Sequence, residues 1–159
     1  MANSGSFGTS SYSNRNLTFN WWVNSQDIGG NYTDIGWNLV GSGSASGWYK
    51  SGNFKVVIDG EQVYYSANRI QLWNGTTVAS GTKRIYHNSD GGRSFSAWAE
   101  AGIYTVAVNV SGSGSWDLPR IARYSNITGA DNFNDEDNPN MTFTNPSVGY
   151  FALRCKMEV

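Results

Sequence analysis

The sequence predicts an all-β fold: an antiparallel β-sandwich of about eight short strands, jelly-roll or galectin-like, followed by the start of a second β unit. Three observations carry this. Apolar and polar residues alternate at period two in several stretches, the pattern of strands with one buried face. Asp-Gly and Asn-Gly dipeptides punctuate those stretches, and both readily take the left-handed geometry of tight hairpin turns. The composition, with 19 glycines and only three prolines in 159 residues, suits many strands joined by tight turns, and nothing reads as a helix of any length.

Taken in order, "NLTFNWWVN" sets Leu17, Phe19, Trp21 and Val23 on one face and Thr18, Asn20, Trp22 and Asn24 on the other. "TDIGWNLVG" sets Ile35, Trp37 and Leu39 opposite Asp34, Gly36 and Asn38. "NFKVVIDGEQVYYS" reads as two strands around Asp59-Gly60, and "RIQLWNGTTVAS" repeats the device at Asn74-Gly75. "TKRIYHNSDGGRSFSAWAE" reads as a further hairpin with Asn88 to Gly92 as its turn, and "GIYTVAVNVSG" as a last strand carrying Tyr104, Val106, Val108 and Val110 on one side.

Two Gly/Ser-rich runs, "GSGSASG" (Gly41 to Gly47) and "SGSGS" (Ser111 to Ser115), read as flexible loops or linkers. After the second, the strand pattern stops at "WDLPRIARYSNITGA", where Pro119 cannot donate to a ladder. The expected division is therefore a β-sandwich domain over 1–120 and, over 121–159, a linker with the opening of a second β module that ends in mid-strand.

Aromatic residues make up 14% of the chain and charged residues also 14%, with a formal net charge of −1. Such a balance provides no broad field to attract nucleic acid or an anionic membrane. No apolar run approaches the roughly 20 residues of a membrane span. The opening "MANSGSFGTSSYS" lacks the basic and apolar regions of a secretory signal, and Cys155 is the lone cysteine. The expectation is folding in a reducing cytoplasm.

Catalytic and metal motifs are absent or unpersuasive. His87, the only histidine, reads as a solvent-exposed turn residue, and Asp90 as a turn aspartate bonding its own backbone. No nucleophile elbow, Cys-His pair or phosphate-cradling loop occurs. Asp34 and Glu100 point away from their strands' apolar faces and are the carboxylate pair a glycosidase would need, yet they read as ordinary solvated charges. "DNFNDEDNPN" clusters Asp131, Asp135, Glu136 and Asp137, but not at EF-hand spacing. No catalytic residue, metal site or cofactor is expected.

The aromatic residues carry the sharpest signal. Trp21, Trp37, Phe54, Phe95 and Tyr104 lie in register with apolar neighbours and are core candidates. Trp22 instead shares its face with Asn20 and Asn24, and Trp98 with Ser96 and Glu100. Burying an indole is worth roughly 2–3 kcal/mol, so an outward tryptophan calls for a partner. Sugars supply one, stacking C–H faces on indole while amides, hydroxyls and carboxylates bond their hydroxyl groups; a protein interface is the other. Trp48, Tyr49 and Trp73, beside turns or Gly/Ser runs, extend the candidate face.

The run from "SGWYKSGNFKVVIDGEQVYY" through "WDLPRIAR" resembles the tail-associated minor structural proteins of siphophages infecting Gram-positive bacteria. "FGTSSYSNRNLTFNW" is similar to that family's opening, and "LPRIARYSNITGADNF" to its junction with later β modules. The resemblance covers essentially the whole chain and involves long stretches, with no catalytic signature. It implies a non-enzymatic virion part in the tail or a fibre, assembled in the host cytoplasm and assisting adsorption, with cell-wall polysaccharide as ligand. A capsid-decoration or tail-attachment role is the architectural alternative, and a wall-degrading hydrolase a distant third. Expected partners are other virion proteins, further copies of the chain and host wall saccharide, with neither nucleic acid nor membrane. The resemblance brings no site residues with it.

Overall fold

Period-two burial organises the first sheet. In the computed structural model, which describes residues 2–43, 50–103 and 108–122, strand β2 (Asn16–Asp27) buries Leu17, Phe19 and Trp21 and turns Thr18, Asn20 and Trp22 outward. β3 (Tyr32–Ser42) buries Thr33, Ile35, Trp37 and Leu39 on the same side. The β2–β3 turn is set locally: Asp27 Oδ1 accepts the Gly30 N–H at 2.7 Å, and Asn31 takes a left-handed φ of 57°. β1 (Ser4–Gly8) pairs with the outer edge of β2, and β7 (Thr77–Tyr86) with β3, giving an antiparallel sheet of order β1-β2-β3-β7.

The second sheet has the order β5-β4-β8-β9, built from β4 (Lys50–Ile58), β5 (Glu61–Ser66), β8 (Ser94–Ile103) and β9 (Val108–Asp117). The two-residue β6 (Ile70–Gln71) pairs with the opening of β4. Asp59 and Gly60, at φ 53° and 79°, make the tight β4–β5 hairpin turn that the sequence predicts. The two sheets enclose a core of Leu17, Phe19, Trp21, Ile35, Trp37 and Leu39 from one side and Phe54, Val56, Ile58, Phe95 and Ile103 from the other. The chain is thus the all-β antiparallel sandwich expected from its alternation, with no helix among the described residues.

Three sequence expectations are corrected. "SGSGS" is neither loop nor linker: Ser111 to Ser115 lie inside β9, paired residue for residue with Glu100 to Ser96 of β8. The serines face out and the glycines face in, and the glycines are demanded by packing. A Cβ on Gly112 would sit 2.6 Å from the Gly8 carbonyl oxygen, and one on Gly114 2.7 Å from the Trp116 ring. Composition alone hides this, since a strand with glycine on its buried face looks like a linker.

Next, Asn74-Gly75 and Asn88 to Gly92 do not close hairpins. β6 pairs with β4 while β7 pairs with β3, and β8 pairs with β4 and β9. Both turns carry the chain from one sheet to the other. Alternation and turn residues mark strand ends, but they do not say which strand is the partner. Lastly, "GIYTVAVNVSG" is not one strand. β8 ends at Ile103 and β9 starts at Val108, and Tyr104 and Val106 lie outside the described residues. The region proposed as a second unit lies, beyond Ala122, outside them as well. Within them, packing continues past β9: Leu118 and Ile121 are buried and donate their backbone N–H groups to the Arg93 and Gly91 carbonyls.

The glycine face of β9 gives a direct test. Gly112→Val should lower stability by about 2–3 kcal/mol or more, the cost of overpacking a tight contact. Ser113→Val on the outward face should stay within roughly 0.5 kcal/mol. Urea unfolding followed by tryptophan fluorescence measures both; equal, negligible effects would mean that the segment is a linker after all.

Candidate functional site

Inner positions are taken up by the core, so binding chemistry falls to the outer faces of the two sheets. Trp22 with Asn20 stands on β2, in the first sheet; Trp98 with Ser96 and Glu100 stands on β8, in the second. Both sets point away from the core, so they occupy opposite faces of the sandwich. The residues grouped from sequence as one candidate face are therefore two separate surfaces.

On the first-sheet face Trp22 is 40% exposed. It sits directly opposite Gly36 of β3, and a Cβ on Gly36 would lie 2.5 Å from the indole Cε2 and Nε1. The ring therefore lies across the glycine, held by the neighbouring strand and open to solvent above. Ser4 of β1 and Thr82 of β7 complete its row. The adjoining row is Ser6, Asn20, Asn38 and Ser80, and Asn20 Nδ2 donates to Asn38 Oδ1 at 2.8 Å. Beyond it the Thr18 and Ser42 hydroxyls bond at 2.9 Å.

On the far side of Trp22 the face carries its charge. Arg84 Nε and Nη2 donate to the two Asp34 carboxylate oxygens at 2.9 and 3.0 Å, and the guanidinium lies 3.6 Å from the centroid of the Tyr32 ring. Tyr32 meets Tyr86 edge-to-face at 5.9 Å and donates its hydroxyl to Asp27 Oδ2 at 3.0 Å. The Arg84 hydrogen bonds hold the Asp34 carboxyl below the usual carboxylate range. The Gly30 N–H and then the Tyr32 hydroxyl lower Asp27, while the bond to Asp27 pushes the Tyr32 phenol up. Arg84, Tyr32 and Tyr86 escaped the sequence reading. Period two from Asp34 points to Tyr32, but Arg84 and Tyr86 join them only through the β3–β7 pairing.

The second-sheet face is built differently. Trp98 is half-buried, with the Lys55 ammonium 5.5 Å from its ring centroid. Lys55 in turn pairs in register with Glu100. Ser96 and Glu100 stand beside Ser115 and Ser111 of β9. Of the remaining candidates, Asn24 is exposed where the β2–β3 register shifts between Val23 and Ser25. Trp73 is 51% exposed in the turn after β6. Trp48 and Tyr49 lie outside the described residues.

Asp34 and Glu100, the carboxylate pair considered for glycoside cleavage, lie on opposite faces and do not meet. No group of three or more His, Cys, Asp or Glu side chains able to hold a metal occurs among the described residues; Asp131, Asp135, Glu136 and Asp137 lie outside them.

His87 is the clearest correction. It is 6% exposed, not a surface turn residue. Its Nδ1 bonds the Gly91 carbonyl at 2.8 Å and so carries the proton, because a carbonyl only accepts. Its Nε2 lies 2.7 Å from Thr33 Oγ1, which also accepts from Gln26 Nε2 at 3.0 Å. Gln26 also donates to the Pro119 carbonyl at 2.8 Å. The histidine thus ties β2, β3, the β7–β8 crossover and the segment after β9 into one network, buried at the imidazole and open at Gln26.

Two outcomes follow. His87→Ala removes two hydrogen bonds and leaves a cavity where the buried ring packed, although Thr33 keeps Gln26 and the Gly91 carbonyl keeps the Ile121 N–H. It should cost about 2–3 kcal/mol in urea unfolding, where an exposed turn histidine would cost almost nothing. The Asp34–Arg84 contribution should be present above the ordinary carboxyl value of 3.8 and fade as pH falls below it towards the depressed native value. Asp34→Asn should therefore lose less stability than the wild type between neutral and acid pH, as denaturant midpoints will show. Compared with protein-family models, curated proteins and solved structures, the chain finds no match.

Proposed function

We propose that this chain is a non-enzymatic virion module of a phage tail or fibre that assists adsorption by holding a cell-wall polysaccharide against the outer face of its first sheet. Trp22 is the stacking residue, with Asn20, Asn38 and Thr82 as hydrogen-bonding neighbours. One observation carries this reading: an indole laid over a glycine is left 40% exposed, open on its solvent side and surrounded by amides and hydroxyls. Saccharide recognition uses that combination of an apolar platform and a few placed polar groups. The resemblance to siphophage minor structural proteins supplies the virion setting, the other virion proteins and further copies of the chain as neighbours, and assembly in the host cytoplasm. The opposite face, where Lys55 lies over Trp98, is left for contacts within the particle.

Trp22→Ala tests the assignment. Binding to host cell walls should fall about tenfold or more, equivalent to roughly 1.4 kcal/mol, with unfolding midpoint and particle assembly retained. Trp98→Ala should bind as the wild type does. Wall binding unchanged by Trp22→Ala, together with failed assembly, would assign the face to an architectural contact instead.

A further inference from the structure

We infer that the ligand of the first-sheet face is an uncharged glycan and not a phosphate-bearing wall polymer; this rests on the reading of that face as a saccharide contact and names the class of saccharide. A polyanion needs cations free to pair with it, as charge-assisted bonds to phosphate come from Arg and Lys. Among the described residues, the outward positions of β1, β2, β3 and β7 present a single cation, Arg84. Its guanidinium is already committed, bidentate to Asp34 and flat on Tyr32. Lys83, its neighbour on β7, points the other way, into the register of Ile35, and is held by Glu61 of β5. With Asp27 at the end of β2, the face carries two carboxylates against one guanidinium, so a phosphate chain laid on it meets net repulsion.

The polar groups around Trp22 suit hydroxyls instead. The Asn20–Asn38 bond consumes one donor and one acceptor, leaving the Asn20 carbonyl oxygen and the Asn38 amide N–H groups to a ligand on two residues paired in register. A neighbouring acceptor and donor beside an exposed indole match the paired hydroxyls of a neutral sugar ring, each of which both donates and accepts. A phosphate diester only accepts, so it would satisfy the Asn38 amide and leave the Asn20 oxygen unpaired.

The test uses the full chain and wall polysaccharide released from a Gram-positive host. Anion exchange splits the polysaccharide into an unretained uncharged fraction and a retained phosphate-bearing fraction. Expected is binding of the uncharged fraction at least about tenfold tighter than of the other, changing less than about twofold between roughly 50 and 200 mM salt, and lost in Trp22→Ala. Tighter binding of the phosphate-bearing fraction, falling steeply with salt and still weakened by Trp22→Ala, would overturn the inference while the saccharide contact stands. Binding of neither fraction by a protein with an unchanged unfolding midpoint would overturn both.

Discussion

The close approach of β1 to β9 closes one side of the sandwich. These strands belong to different sheets, and bonds beyond their ends join them: the Ala2 N–H to the Asp117 carbonyl at 3.1 Å, the Ser10 N–H to the Ser111 carbonyl at 2.8 Å and the Ser111 N–H to Ser10 Oγ at 3.2 Å. Between those ties Gly112 lets the β1 backbone come so near that no Cβ fits, and Gly114 clears the space that the Trp116 ring takes. Trp116, one strand step further, fills the remaining width. Its ring packs among Phe7, Phe19, Trp21 and Phe95, with centroids 5.4–6.4 Å away. Gly5 makes room from the other side, since a Cβ there would meet both the Trp116 and Trp21 indole nitrogens. Small residues admit the backbone and a large ring seals the gap, so neither half of the device works without the other.

The opposite side of the sandwich faces a different problem, because β7 and β5 each end a sheet. Edge strands offer unpaired backbone groups to other chains. Lys83 answers this from an inward register position on β7, where an aliphatic residue would fit the alternation, by reaching Glu61 on β5. One ion pair thereby spans the two sheets and places a charge where a foreign strand would need an apolar contact. Its worth lies in discouraging association, since exposed ion pairs contribute little to stability.

Much of this was legible in the chain, and the remainder was not, for a consistent reason. The inward sets of β2 and β3 follow from alternation alone, because each strand has one wet and one dry face. The Asp59-Gly60 turn follows from the backbone its residues prefer. Pairing is another matter. Nothing local distinguishes the Asn88 to Gly92 crossover from a hairpin, so the partners of β7 and β8, and with them the separation of Trp22 from Trp98, stayed hidden. β1, "SGSFG", has one large apolar residue, Phe7, too few for a period to register. His87 looked exposed because its neighbours are turn formers, yet its ring is buried by Thr33 and Gly91, which lie on other segments of the fold.

That separation decides which indole can act as a platform. A stacking ligand needs an unoccupied ring face. At Trp98 the Lys55 ammonium already sits over the ring, a contact worth about 0.5–1 kcal/mol at exposed sites, and any ligand must first displace it. At Trp22 the inner ring face rests on Gly36 and, among the described residues, no cation covers the outer one. The arrangement follows from register: β2 and β3 pair Trp22 with a glycine, and any larger residue at position 36 would lift the ring from the sheet. The exposed indole is thus held by the same backbone pairing that builds the sandwich, and it needs no loop to position it.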